Sequence, residues 1–161
     1  MSEHLNNDEL IALAREVLAI ESRAVDALRT RLDDDFAAAC KLVDATRGRV
    51  VVTGMGKSGH ISSKIAAPLA STGTPAFFMH PAEASHGDLG MITAQDLVLA
   101  ISYSGETEEV VTILPLVRRM GAKLISMTGN PQSTLARMAD VHLNVAVSEE
   151  ACPLNLAPTA S

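Results

Sequence analysis

Residues 49–59 read RVVVTGMGKSG, a β-branched run that leads into a glycine-rich turn. Consecutive valines before Gly54 are typical of a strand that is buried on both faces of a sheet. After the turn, Ile61, Ile65 and Leu69 recur at helical spacing, which predicts a helix over 58–71. A strand that passes through a glycine turn into a helix indicates an α/β fold.

The alternation of strand and helix continues toward the carboxyl terminus. Further strands are predicted over 75–79, 97–102, 123–128 and 141–147, and the last has the alternating pattern of an edge strand. Helices are predicted between them over 106–120 and 132–139. This order predicts a doubly wound, flavodoxin-like sheet of five parallel strands. Ligands of such sheets bind at the carboxyl ends of the strands, so the candidate binding loops follow Gly54, Ser102 and Thr128.

Two helices are predicted ahead of the first strand, over 8–30 and 33–45, with Asn7 and Asp8 as candidate caps of the first. Their apolar stripes can be buried either on the sheet or on another subunit. We interpret residues 1–161 as a single domain, in which N-terminal helices (1–47) precede the α/β core (48–161).

Composition narrows the class of protein. The 161 residues carry a net charge of −6, which argues against nucleic acid and anionic membranes as partners. The polar start MSEHLNNDEL does not predict a signal peptide, and no apolar run is long enough to span a membrane. The two cysteines, Cys40 and Cys152, show no pairing motif, which favours a reducing, cytoplasmic location.

The first candidate loop, Gly54–Gly59, formally matches the dinucleotide pattern G-x-G-x-x-G. That pattern also needs an acid at the end of the next strand, and the first acid available is Glu83. A P-loop is excluded because it needs glycine where Val51 stands. Two interpretations remain, an anion site at a helix N-terminus and a simple tight turn.

The second candidate loop contains three hydroxyl side chains around the predicted start of a helix: Ser102, Ser104 and Thr107. Hydroxyls and backbone N–H groups together can hold a phosphate without an arginine. Helix capping by Ser104 explains one of these hydroxyls but not all three. The sequence therefore predicts a phosphate bound by this loop, with Ser58 contributing from the first loop.

These motifs carry a resemblance to a known family. S-x-S-G-x-T after a strand, preceded by G-x-G-K-S-G, resembles the SIS (sugar isomerase) family. The segments ASTGTP (70–75), HPAEASHGDLG (80–90) and EACPLNLAPT (150–159) resemble its arabinose-5-phosphate isomerases. The similarity runs from about Val50 to Ser161. It implies isomerisation between ribulose 5-phosphate and arabinose 5-phosphate through an enediol, on the pathway to the lipopolysaccharide sugar Kdo.

The resemblance also implies roles for individual residues. Catalytic positions match Lys57, Glu109 and Glu150, of which Glu150 is the preferred proton carrier. Substrate-binding positions match Ser58, Gly73, Thr74, His86, Ser102, Ser104 and Thr107. His80 matches a position linked to a bound metal ion such as zinc, although the chemistry itself requires no cofactor. From the residues alone, Lys57 also fits a solvent-facing helix start, Glu109 fits an acid favoured by the helix dipole, and Glu150 fits a solvated acid.

Two features depart from the family pattern. We expect the chain to stop before a further helix, before a His-Pro-Gly-Gly stretch with a catalytic histidine, and before the paired CBS domains of many members. Tyr103 stands where asparagine or glutamine is common. We therefore expect a chain that folds and self-associates, as a homotetramer with sites between subunits, but is nearly inactive. The alternatives are a sugar-phosphate-sensing domain without catalysis and an isomerase for another sugar phosphate.

Overall fold

The computed structural model describes residues 5–85, 87–152, 154 and 157–161. Within these residues the chain forms five strands: β1 (Val50–Gly54), β2 (Ala76–Met79), β3 (Leu97–Ile101), β4 (Lys123–Thr128) and β5 (Val141–Asn144). The helices are α1 (Asn7–Ala27), α2 (Asp34–Ala45), α3 (Lys57–Ser71), α4 (Pro81–Ser85), α5 (Glu108–Met120) and α6 (Thr134–Met138). Short 3-10 turns occupy Leu28–Arg31 and Asp88–Met91. None of these helices is long and apolar enough to cross a membrane.

The strands form one parallel sheet in the order β2-β1-β3-β4-β5. This confirms the predicted doubly wound, five-stranded fold and the edge position of β5. The chain changes direction across the sheet between β1 and β3, where Gly54 pairs with Ile101 at the carboxyl ends of the two strands. Such a switch point is where open α/β sheets bind their ligands.

Two compact units are present and are described separately. One contains residues 32–146 and therefore the whole sheet. Its core has two layers, because alternate residues of a strand point to opposite faces. Val51, Val98 and Leu124 pack in the layer with α5, whereas Val52 and Ile125 pack in the layer that includes Ala39 of α2 and Ala66 of α3. For α2, packing on the sheet is thus the correct alternative, since it contacts β5.

The other unit contains residues 1–31 and 147–161. Its helix α1 begins at a capping box, in which Asn6 Oδ1 accepts from the N–H of Glu9 and Glu9 accepts from the N–H of Asn6. The predicted caps Asn7 and Asp8 are therefore wrong, because both lie inside the first turn. Arg23 binds the Glu149 carboxylate through Nε and Nη2, at 3.1 and 2.7 Å.

The segment 80–90 differs most from expectation. No helix is predicted from the sequence between the strands over 75–79 and 97–102, but α4 begins at Pro81 and a 3-10 turn begins at Asp88. Proline fits the first position of a helix because its missing N–H has no partner there in any case.

Candidate functional site

Two helices begin at the switch point without a side-chain cap. Gly56, ahead of α3, has φ 58°, and a side chain built there would have nothing within 4 Å. Thr107, ahead of α5, also makes no capping hydrogen bond through its side chain. The N–H groups and positive dipole ends of both helices are therefore directed at the carboxyl edge of the sheet, where they favour an anion.

Close packing fixes the first of these helices on its strand. A Cβ added to Gly59 would lie 2.8 Å from the carbonyl oxygen of Gly54, and one added to Gly54 would lie 2.9 Å from that of Ile101. Side chains at these two positions would push α3 away from β1 and β3. The glycines of 54–59 thus serve both to free the turn and to bring the helix start to the sheet.

The three hydroxyls of the second loop lie together, and we call Ser102, Ser104 and Thr107 the hydroxyl cluster. Ser102 Oγ is 2.8 Å from Thr107 Oγ1 and 3.5 Å from Ser104 Oγ. Ser102 is 3% exposed, whereas Ser104 is exposed and Thr107 is half-buried. Ser104 Oγ accepts from the N–H of Glu106, which precedes α5, so it caps a turn and not the helix.

A contact that sequence reasoning missed holds this loop in place. Glu106 Oε1 accepts from the N–H of Thr134 at 2.6 Å, and the hydrogen bonds from Thr134 lower the pKa of the Glu106 carboxyl. The N–H of Leu135 donates to the carbonyl oxygen of Gly105 at 3.1 Å. Gly105 has φ 67° and lies so close to Ser133 that no side chain fits. The start of α6 therefore holds the loop of the hydroxyl cluster in place through these hydrogen bonds.

Tyr103, in the same loop, packs against Gly129. The N–H of Gly129 donates to the Tyr103 carbonyl oxygen at 2.8 Å, and a Cβ built on Gly129 would lie 2.7 Å from the ring. The tyrosine therefore leaves the three hydroxyls in place while its partly exposed ring covers the turn after β4.

Lys57 and Glu109 lie in the first turns of the two uncapped helices, and hence at the same edge of the sheet as the hydroxyl cluster. Lys57 is exposed and Glu109 is half-buried. Within the described part of the chain, neither side chain makes an ion pair or hydrogen bond. Ser58 is half-buried, and its carbonyl oxygen accepts from Ser62 Oγ at 2.8 Å.

Glu150 belongs to the other compact unit and is held by hydrogen bonds. Its Oε2 accepts from the N–H of Thr159 at 2.7 Å, from the Thr159 hydroxyl at 3.0 Å and from the N–H of Ala160 at 2.9 Å. Partial burial raises the pKa of this carboxyl. The hydrogen bonds from Ser161, Thr159 and Ala160 outweigh that effect and lower the pKa to about 2.

Other predicted site residues are placed elsewhere. Gly73 and Thr74 precede β2, at the amino edge of the sheet, and line a separate apolar cavity beside α2. The length of a strand, about 3.3 Å per residue, separates that edge from the hydroxyl cluster. The structure thus does not bring these two residues to the cluster of the same chain, and their role as substrate contacts stays a prediction that needs a neighbouring subunit.

His80 follows β2 at the carboxyl edge. Its Nδ1 is buried without a hydrogen-bond partner in the described chain, and its ring contacts Phe78 edge-on, with ring centroids 6.3 Å apart. Among the described residues, no three His, Cys, Asp or Glu side chains come together as a metal site would require. The described donors alone thus do not form a metal site, the role of His80 as a metal ligand stays a prediction, and His86 lies outside the described residues.

This chain is similar to known proteins of the family that its motifs resemble. The SIS domain family model matches residues 42–161. Arabinose 5-phosphate isomerase KdsD of Pseudomonas aeruginosa is 61% identical over 161 residues, which are 100% of this chain and 48% of the relative. KdsD of Escherichia coli K12 is 55% identical over 147 residues, or 91% of this chain and 45% of the relative. The chain thus spans about half the length of these curated relatives.

A solved structure extends the similarity to three dimensions. An Escherichia coli CFT073 protein in complex with arabinose 5-phosphate superposes with a TM-score of 0.92 and 44% identity, over 98% of this chain and 84% of that one. The predicted resemblance to arabinose-5-phosphate isomerases is thereby confirmed. Because the family model spans most of the sequence, the chain belongs to the SIS domain family.

Proposed function

We propose that this chain is the isomerase domain of an arabinose-5-phosphate isomerase, which interconverts ribulose 5-phosphate and arabinose 5-phosphate in Kdo biosynthesis. The observation that carries the proposal is the hydroxyl cluster between two uncapped helix starts, at the switch point of the sheet. The 61% identity to the Pseudomonas enzyme and the sugar-phosphate complex of the Escherichia coli structure support this substrate.

The phosphate of the sugar is assigned to the hydroxyl cluster. Ser102, Ser104 and Thr107 supply hydroxyl donors, and the starts of α3 and α5 supply N–H groups and positive dipole ends. Ser58 adds a further hydroxyl from α3. We propose that Lys57, at the first position of α3, neutralises the phosphate or the developing enediolate.

The reaction moves one proton between neighbouring carbons. A base removes the proton from C2 of the aldose while O1 gains a proton, which gives the enediol; a proton then returns to C1 as the hydroxyl on C2 loses its proton and becomes the carbonyl. The substrate is neither oxidised nor reduced overall, so we propose that no cofactor is required. Glu109 and Glu150 are the two candidate bases, of which only Glu150 is already engaged by hydrogen bonds in the described part of this chain.

The proposal extends to partners and location. The net charge of −6 argues against nucleic acid and an anionic membrane as partners, so a sugar phosphate is the one ligand that we assign. Apolar residues exposed on α1 support assembly into a homotetramer with sites between subunits. The two cysteines, which show no pairing motif, support a location in the reducing cytoplasm.

Solvent exchange tests the activity directly. The chain is incubated with ribulose 5-phosphate in D₂O, and NMR follows both arabinose 5-phosphate and deuterium at C1 and C2. The Pseudomonas relative serves as the positive control, and calorimetry measures binding of arabinose 5-phosphate in parallel. We expect binding together with slow exchange, far below that of the Pseudomonas relative, because the sequence predicts a nearly inactive chain. Binding without exchange would favour the sensing alternative, and the absence of both would refute the proposal.

A further inference from the structure

The hydrogen bonds of Glu150 and of its neighbour Ala151 join residues that are eight to ten positions apart in sequence. We call Glu150, Ala151, Thr159 and Ala160 the Glu150 network. Thr159 Oγ1 takes part in two of its bonds, one with the N–H of Ala151 at 2.7 Å and one with Glu150 Oε2 at 3.0 Å. A single hydroxyl thus links the acidic side chain to the backbone of the residue that follows it.

The direction of each hydrogen bond is fixed by chemistry. A backbone N–H can only donate, so the hydroxyl oxygen of Thr159 accepts from Ala151 and its hydrogen is left for the carboxylate. Two more N–H groups, from Thr159 and Ala160, also donate to Oε2. Three donors directed at Oε2 stabilise the negative charge of the carboxylate, so the arrangement favours the ionised form of Glu150.

We propose that Thr159 is a positioning residue, whose hydroxyl fixes the Glu150 carboxylate as a permanently charged hydrogen-bond acceptor and so leaves proton transfer to another group. This inference rests on the proposed isomerase function only for the consequence in catalysis. The contacts themselves lie within one compact unit and do not depend on it.

If Glu150 stays ionised, the preferred general base changes from Glu150 to Glu109. An efficient general base has a pKa near the working pH, and Glu150, with a pKa of about 2, lies far below it. Glu109 lies at the carboxyl edge without a hydrogen bond in the described chain and is the remaining candidate among the two glutamates. Glu150 then acts by orienting a substrate hydroxyl or stabilising positive charge, which requires a fixed geometry and constant ionisation.

Two substitutions of Thr159 isolate the hydroxyl. Thr159→Val keeps the shape and the backbone N–H but removes the hydroxyl, whereas Thr159→Ser keeps the hydroxyl and serves as the matched control. Carboxyl NMR of the glutamate-labelled chain, with the Glu150 signal assigned by its loss in Glu150→Gln, reports the titration. We expect Thr159→Val to raise the pKa of Glu150 by about one to two units, as the loss of one charge-assisted hydrogen bond implies. Thr159→Ser should leave it unchanged.

Circular dichroism confirms that each variant folds before its titration is compared. An unchanged Glu150 titration in Thr159→Val overturns the proposal, as does an equal rise in Thr159→Ser, because the hydroxyl would then not be responsible. The pH profile of kcat/KM supplies the catalytic readout: its acid limb reports the base, so it should be the same in Thr159→Val and Thr159→Ser, and an acid limb that follows the raised pKa of Glu150 would show that Glu150 is the base after all. If the chain neither binds nor turns over sugar phosphate, the proposed function fails while the NMR comparison still decides the role of Thr159.

Discussion

Ser104 is the exposed member of the hydroxyl cluster, and its substitution affects little besides the ligand. Ser104→Ala removes one hydroxyl that accepts only from the N–H of Glu106 and contacts Ser102 at 3.5 Å. We expect sugar-phosphate binding to weaken by about 1 to 2 kcal/mol, as a lost charge-assisted hydrogen bond would. Calorimetry with arabinose 5-phosphate measures the change.

Ser71→Ala is the matched control, because Ser71 is an exposed serine whose hydroxyl bonds only the Ala67 carbonyl oxygen in α3. Its affinity should equal that of the unmodified chain. If Ser104→Ala binds equally well, the phosphate is not held by the hydroxyl cluster.

Gly105 shows how one residue sets the position of the loop. Its φ of 67° favours glycine, and a side chain there would collide with Ser133. We expect Gly105→Ala to lower the free energy of unfolding by about 2 to 4 kcal/mol, from backbone strain and overpacking together. Urea denaturation measures this loss.

Gly90→Ala provides the comparison, since Gly90 has no positive φ and nothing within 4 Å of an added Cβ. The double variant Gly105→Ala/Ser133→Gly should recover part of the loss by removing the clash but not the strain. Equal stability of Gly105→Ala and Gly90→Ala would contradict the close packing of α6 on this loop.

Asp96 connects the segments that lead into β1 and β3 at the amino edge of the sheet. Its carboxylate accepts from the backbone N–H of Arg49, ahead of β1, at 2.7 Å and from that of Thr93 at 2.8 Å. Burial raises the pKa of Asp96, but the hydrogen bonds from Arg49 and Thr93 outweigh it and hold the pKa below its usual value. The ionised carboxylate thus ties β1 to the segment that enters β3.

The pH dependence follows from the direction of that shift. Because the folded pKa is depressed, the stabilisation is complete above the unfolded value of about 3.9 and is lost as the pH falls through the folded value. Asp96→Asn should lower the free energy of unfolding by about 1 to 3 kcal/mol at pH 7 and by less below pH 4. Asp44→Asn, at an aspartate of α2, should change little. A pH-independent difference for Asp96→Asn would contradict the role of its charge.

The elements that were predictable are those whose signal is local. The valine run of β1, the alternation in β5 and the glycine turn after Gly54 each carry their own pattern, so the strands along the chain and the loops at their carboxyl ends followed from the sequence. The short helix α4 was missed, although Pro81 at its first position is a usable signal. The contact of Glu106 with Thr134 and the Glu150 network join residues with no shared periodicity, and only the folded chain brings them together.

At the scale of the whole molecule, α1 presents an apolar stripe to solvent. Ile11, Leu18 and Val25 recur every seven residues and are 49%, 66% and 67% exposed. Another apolar side of α1, with Leu13, Val17 and Ile20, lines a cavity of about 340 Å³ together with residues 150–152. The exposed stripe is thus distinct from the side of α1 that lines the cavity, and a stripe of this kind favours association between helices.

Charge placed on this surface tests self-association. Leu18→Glu introduces a carboxylate in the middle of the stripe and should convert the assembly to smaller species in light scattering. Ala19→Glu adds the same charge about 100° further around the helix and should leave the assembly intact. A monomeric unmodified chain, or equal dissociation of both variants, would show that the stripe does not mediate assembly.

The aromatic composition gives the binding loop a built-in optical signal. The chain has no tryptophan and one tyrosine, and that tyrosine is Tyr103, between Ser102 and Ser104 and against Gly129. Its intrinsic fluorescence therefore comes from a single position beside the assigned phosphate. We expect arabinose 5-phosphate to change this emission with the saturation curve that calorimetry gives, and Tyr103→Phe to remain dark while still binding. Ligand occupancy can thus be followed in the unlabelled protein, in real time and at the loop where the phosphate is assigned.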